Sequence, residues 1–157
     1  MKYLFVLLVL CLTSSVIGQN RYHVDETNES ELPEIVVLKA TNKPVTGEVY
    51  YERENGQLKW ENNYKDGKRD GLYRSWHENG QLRWEVNSKD GKGDGIYRSW
   101  RENGQLYFEG NYKDGKKDGL YREWYENGQL KGERNYKEGN LLSEKCWDEE
   151  ANEIDCP

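Results

Sequence analysis

Carboxylates are the most numerous groups here that could do chemistry: 29 Asp and Glu in 157 residues, against 23 Lys and Arg and two His. A carboxylate pair hydrolyses glycosides only when two acids stand apart from the rest in a focused geometry. Here Glu54, Glu78, Glu102 and Glu126 recur at one spacing, as structural positions do, and no pair is singled out. Neither His23 nor His77 sits in a context that reads as a catalytic triad. The run Asp66-Gly67-Lys68-Arg69-Asp70-Gly71 approaches a calcium loop, which needs an acid or amide at its third position and Glu at its twelfth. Those positions hold Lys68 and His77, then Lys92 and Arg101, then Lys116 and Tyr125, so the run reads as a turn. Gly91-Lys92-Gly93-Asp94-Gly95 lacks the Lys-Ser/Thr of a phosphate loop. The expectation is a protein that is not an enzyme, with no catalytic residue, cofactor or metal site.

Cysteine chemistry depends on the N-terminus. Met1 and Lys2 precede an apolar run from Tyr3 to Leu12, and Val16 and Gly18 fit the −3 and −1 positions of a signal-peptidase site. The run is too short to span a bilayer, which takes about 20 apolar residues. The reading is a signal peptide over residues 1–18, cleaved before Gln19, with export to the periplasm, the cell surface or the medium. A lipoprotein reading at Cys11 fits less well, because bulky Leu10 stands where a small residue is wanted. Cleavage leaves Cys146 and Cys156, and an even count in an exported chain points to a disulfide. Two Cys with no nearby His are half a zinc set. Asn28-Glu29-Ser30 is a glycosylation sequon, which matters only in a eukaryotic secretory pathway.

The elements that position these residues are repeats. Asn-Gly recurs at 55, 79, 103 and 127, and Gly67, Gly91, Gly115 and Gly139 keep the same step of 24. This gives four units, 47–70, 71–94, 95–118 and 119–142, and such a fixed period means an array of one supersecondary unit. Residues 19–46 are an N-terminal flank, with a strand expected over Pro33–Lys39 and a mobile stretch over Asp25–Glu31. Residues 143–157 read as a decayed fifth unit, closed by the disulfide, in which Ile154 stands 24 after Leu130. Between Gly47 and Leu142 only 12 of 96 residues are Leu, Ile, Val or Phe, but five are Trp and ten Tyr. Disordered chains lack aromatics, so the block is ordered and its apolar surface is mostly ring. Its charge is balanced at 18 against 18, and the negative excess lies in the flanks. Nucleic-acid binding, which wants a basic excess, is excluded, and membrane contact is disfavoured.

Each unit alternates as strand, turn, strand, turn, which predicts an all-β antiparallel meander. A three-residue loop Glu78-Asn79-Gly80 pairs Trp76 with Leu82 and Arg74 with Trp84, and the same parity at Lys89-Asp90-Gly91 brings Trp84 beside Ile96. One face then carries Leu72, Trp76, Leu82, Trp84, Ile96, Trp100, Leu106, Phe108, Leu120, Trp124 and Leu130. The other carries Tyr73, Tyr97, Tyr121 and the charged residues; Arg74 and Arg98 are expected near the rings at 84 and 108, stacked on them, and Arg122 more loosely near position 132. A single sheet cannot cover such a stripe by itself. Trp76, Trp84, Trp100, Phe108 and Trp124 are therefore the candidate interaction face, for a protein partner or a second copy. The Tyr73–Tyr97–Tyr121 row is the second candidate.

The units resemble the bacterial MORN-repeat variant of the YwqK-like family. The likeness lies in Lys43-Pro44-Val45-Thr46-Gly47, Glu54-Asn55-Gly56-Gln57-Leu58 and Asn63-Tyr64-Lys65-Asp66-Gly67-Lys68-Arg69-Asp70-Gly71, and recurs at 97–106 and 121–130. The resemblance implies a β-hairpin array used for interaction or scaffolding, without catalytic residues. Some members are labelled the antitoxin component of a toxin–antitoxin pair, which makes a toxin the alternative partner. An export signal departs from an intracellular antitoxin.

Overall fold

A computed structural model of the chain describes residues 20–29 and 34–157. The signal segment, Cys11, the cleavage point before Gln19 and Pro33 lie outside the described residues. The rest is one sheet of twelve strands: β1 (Arg21–His23), β2 (Gly47–Glu52), β3 (Leu58–Lys65), β4 (Lys68–Trp76), β5 (Leu82–Lys89), β6 (Lys92–Trp100), β7 (Leu106–Lys113), β8 (Lys116–Lys117), β9 (Gly119–Trp124), β10 (Leu130–Lys137), β11 (Asn140–Trp147) and β12 (Glu153–Ile154). Strand order follows chain order, with β8 a short piece beside β7 that resumes as β9. All pairs are antiparallel except β1 with β2.

Two kinds of turn build the array. The Asp-Gly turns leave two residues between Lys89 and Lys92, which pair directly. Asp90 and Gly91 both take positive φ (50° and 82°), the type I′ geometry that matches strand twist. This corrects the three-residue loop expected at Lys89-Asp90-Gly91. The Asp70 carboxylate accepts from Asp90 N at 3.4 Å, so each unit caps the next turn. At the opposite edge Gly80 N donates to His77 O and His77 N donates to Gln81 O, with Gly80 at φ 82° closing the turn. The Asn79 Oδ1 accepts from Gln81 N at 3.0 Å. Trp76 pairs with Leu82, as the parity argument requires.

The register then slips. Ser75 pairs with Trp84 and Arg74 with Glu85, because Arg83 is an extra residue on β5. A one-residue slip carries every later side chain to the other face. The same bulge recurs between Ser99 and Trp100. A second irregularity, between Val86 and Ser88, puts Tyr97 opposite Val86 and Ser99 opposite Trp84, so Ile96 does not sit beside Trp84. The expected single stripe is therefore divided. Trp84 and Phe108 lie on the face of Tyr73, Tyr97 and Tyr121, while Trp76, Trp100 and Trp124 lie on the other with Leu72, Ile96 and Leu120. Arg74 and Arg98 point away from the rings at 84 and 108.

Among the described residues, aliphatic core exists only at the N-terminal end. Val24, Val36, Val45, Val49 and Tyr64 form it, and Val45 and Val49 are wholly buried. The flank that supplies it makes no regular strand over 34–39, only isolated bridges of Thr27 with Leu38 and Val37 with Pro44. The described part of the stretch expected to be mobile is ordered: Val24–Glu26 is a 3₁₀ turn capped by His23, and Thr27 and Glu29 are buried. At the far end Trp147 pairs with Glu153 as Trp124 pairs with Leu130, so the period shortens by one and Glu153, not Ile154, takes the place of Leu130. Cys146 and Cys156 are bonded, tying β11 to the residues after β12.

Candidate interaction face

The two faces of the sheet differ in chemistry. On one, Glu61, Arg74, Glu85, Arg98, Glu109, Arg122 and Glu133 stand opposite one another on successive strands. Their ion-pair distances run 3.6, 3.1, 3.9, 3.4, 3.6 and 2.8 Å. Each half-exposed pair contributes no more than about 1 kcal/mol. Alternation matters more, because like charges on neighbouring strands would repel. Burial, then nearby Glu48, pushes the Glu61 carboxyl up from its ordinary value, and the hydrogen bond to Glu133 pushes Arg122 up. No expectation included this ladder, yet its signal was present: Glu61, Glu85, Glu109 and Glu133 keep the 24-residue step, as do Arg74, Arg98 and Arg122.

The opposite face is made of rings. Trp84 meets Tyr97 at 5.4 Å between centroids, Tyr97 meets Phe108 at 5.5 Å, and Phe108 meets Tyr121 at 5.5 Å. Tyr121 continues to Tyr136 at 5.1 Å, and Tyr112 touches both Tyr97 and Tyr121. The tilted and edge-on contacts suit the ring quadrupoles, at about 0.5–1.5 kcal/mol each. Tyr121 is buried because β7 has no side chain at Gly110: a Cβ there would come within 2.6 Å of the Tyr121 ring. Burial first and the Tyr112 hydroxyl second hold the Tyr121 phenol protonated far above its ordinary range. Trp84, Tyr97, Ser99, Phe108, Tyr112 and Lys117 help line a cavity of about 300 Å³. The Oγ atoms of buried Ser75 and Ser99 have no hydrogen-bond partner among the described residues.

The first unit presents the same face under cover. Tyr64 donates to the Glu29 carboxylate, Asn62 Nδ2 donates to Tyr64 Oη at 2.9 Å, and Arg69 Nη2 donates to Glu29 at 3.3 Å. Burial and then the bond to Glu29 push the Tyr64 phenol up. Thus a folded-back flank carrying Val36, Val45 and one carboxylate is already laid on the ring face of unit one. The cue for Glu29 was absent from the sequence, since its partners lie 35 and 40 residues away.

Of the proposed contact residues, Trp84 and Phe108 come together with the tyrosines, and Trp76, Trp100 and Trp124 do not join them. The three tryptophans carry a structural duty through their carbonyls: Arg53 donates to Trp76 O at 2.8 Å, His77 Nε2 bonds Trp100 O at 2.8 Å, and Arg101 donates to Trp124 O at 2.9 Å. Because a carbonyl can only accept, His77 carries its proton on Nε2. Each unit is thereby latched to the next. No group of three His, Cys, Asp or Glu is placed to hold a metal among the described residues. None of their helices is long and apolar enough to cross a membrane.

No curated protein matches the chain. Three tandem segments, residues 69–90, 93–114 and 117–138, match the family described as the MORN repeat variant, at the same 24-residue step as the sheet. Repeats of this kind are associated in general with binding to proteins or membranes and are typically non-enzymatic, and the middle of this chain carries three of them in tandem.

Proposed function

We propose that the chain is an exported, non-enzymatic module that binds a protein partner through the ring face of its second to fourth units. One observation carries the reading. A row of aromatic side chains lies on a single-layer sheet, and the segment that covers it over unit one stops there. Large rings are favoured interface anchors, because each brings wide apolar area at low entropic cost. Buried serine hydroxyls without partners add groups that a bound segment would satisfy. Export is supported by the signal-like residues 1–18 and by the Cys146–Cys156 bond, which persists in oxidising compartments.

The test compares the two faces in the chain from Gln19 onward. Phe108→Ser should lower partner capture by about tenfold or more while the β-sheet signal persists. Trp100→Ser, on the ladder face, should leave capture intact. The reverse result would place the interface on the ladder face. Loss of fold in Phe108→Ser would make the ring row core. Intact mass of the native protein should begin at Gln19 and lack two thiol hydrogens; a chain beginning at Met1 with free thiols would remove export from the reading.

A further inference from the structure

We propose that Tyr112 and Lys117 form a carboxylate-binding subsite on the third unit, gripping an acidic residue of a partner protein's folded-back segment. This rests on the ring-face reading above and adds the chemistry of the partner. Units one and three place equivalent residue pairs at the same point of the sheet. Tyr64 pairs across the ladder with Arg69, and together they hold Glu29 of the flank. Two periods on, Tyr112 pairs with Lys117 in the same register. The second unit has Ser88 opposite Gly93, and the fourth has Tyr136 opposite Leu141, so neither pairs a phenol with a cation across the ladder in this register. The third unit alone repeats the grip of the first.

The carboxylate is what the third unit lacks. Lys117 makes no ion pair among the described residues; its Nζ lies 4.9 Å from the Tyr121 ring centroid and 4.8 Å from that of Tyr136. The ring attraction holds the ammonium beside the cavity and leaves its charge uncompensated. The cavity also receives Ser99, 3% exposed and without a hydrogen-bond partner. In unit one the equivalent surface is filled by short β-branched side chains, Val36 and Val45, on the two arms of a turn in which Val45 N donates to Val36 O. The fitting occupant is therefore a folded-back segment of a partner protein, with small apolar side chains over Tyr97 and Phe108 and one Asp or Glu reaching Lys117. Charge-assisted bonds of this kind carry register as well as affinity.

The probe is a peptide of this chain's own residues 20–46, titrated into the isotope-labelled chain from Gln19 onward and followed by NMR. Saturable shifts are expected at Ser99, Tyr112 and Lys117. The Glu29→Gln peptide should bind about tenfold more weakly, and Lys117→Leu in the protein should impose the same loss. Combining both changes should add little, because they delete one interaction. Lys117→Arg should restore binding. Shifts confined to Tyr64 and Arg69, or equal affinity of the acid and amide peptides, would overturn the subsite and leave the ring-face reading standing. No saturable shift at millimolar peptide overturns the subsite too; if Phe108→Ser then has no effect on partner capture, the ring-face reading fails with it.

Discussion

Units one and three occupy equivalent positions in the same sheet, and they finish their ring faces in opposite ways. Unit one has Val49, Tyr51, Trp60, Asn62 and Tyr64 where unit three has Tyr97, Ser99, Phe108, Gly110 and Tyr112. In the first, the flank supplies Val24, Val36 and Val45, and the buried Asn62 and Tyr64 are satisfied in a chain that ends on Glu29. In the third, rings cover rings, the Ser99 hydroxyl is left unpaired, and a cavity remains. A single-layer sheet must bury one face against something. The first unit takes its cover from its own chain and becomes a cap; the third keeps an opening. At the far end a disulfide replaces the missing flank, since β12 is only two residues long and Leu142 is 63% exposed.

The largest difference is expected at the ends of the array. Cys156→Ser should lower stability by about 2–3 kcal/mol, because a ten-residue link no longer restrains the unfolded chain. The loss should appear as a shift in urea midpoint with the fold retained. A change below about 1 kcal/mol would mean that the last hairpin holds without its bond. Next comes Val49→Ala, which opens a cavity in the one aliphatic core and should cost about 2 kcal/mol in urea unfolding. The half-buried Tyr97, its equivalent in unit three, should cost clearly less when cut to Ala, and equal losses would erase the distinction between covered and open units.

Gly110→Ala adds a methyl group where Tyr121 ring carbons stand 2.6 and 2.8 Å away. Overpacking there should cost about 1–3 kcal/mol and expose Tyr121, read by its solvent accessibility to NMR relaxation probes. A neutral change would show that the ring can leave its seat freely. The smallest effect is electrostatic. Asp118 accepts from Glu138 N and then meets Lys137, and the two hold its carboxyl below the ordinary value of 3.8. A depressed folded value stabilises above the unfolded one and loses that contribution as pH falls through the folded one. An NMR titration of Asp118 should therefore give a midpoint under 3.8. A midpoint at or above it would remove this cap from the turn between β10 and β11.

Much of the array could be read from residue types. The 24-residue step, the Asp-Gly and Asn-Gly turns, the strand class and the Trp76–Leu82 pairing depend on local chemistry, chiefly on which residues tolerate positive φ. The ring-face composition was legible too, as ten tyrosines and five tryptophans with few aliphatics. Its division was not. Parity counts residues, and one unpaired residue at Arg83 reverses the count for everything beyond it. Nothing in the type of Arg83 marks it as a bulge; the bulge is settled by what both flanking strands must pair with.

Residue types and their spacing were enough to specify a repeat sheet, closed at the end by Cys146 and Cys156, with charge balanced in the middle and acidic at the flanks. Those features follow from turn chemistry, alternation and cysteine count, all of which act over a few residues. Tertiary structure alone decided that Trp84 and Phe108 share a face with the tyrosines, that seven charges form one alternating ladder, and that Glu29 crosses 35 residues to reach Tyr64. Such outcomes depend on register and on contacts distant in the chain, where the cost of placing one side chain is set by partners that no local pattern names.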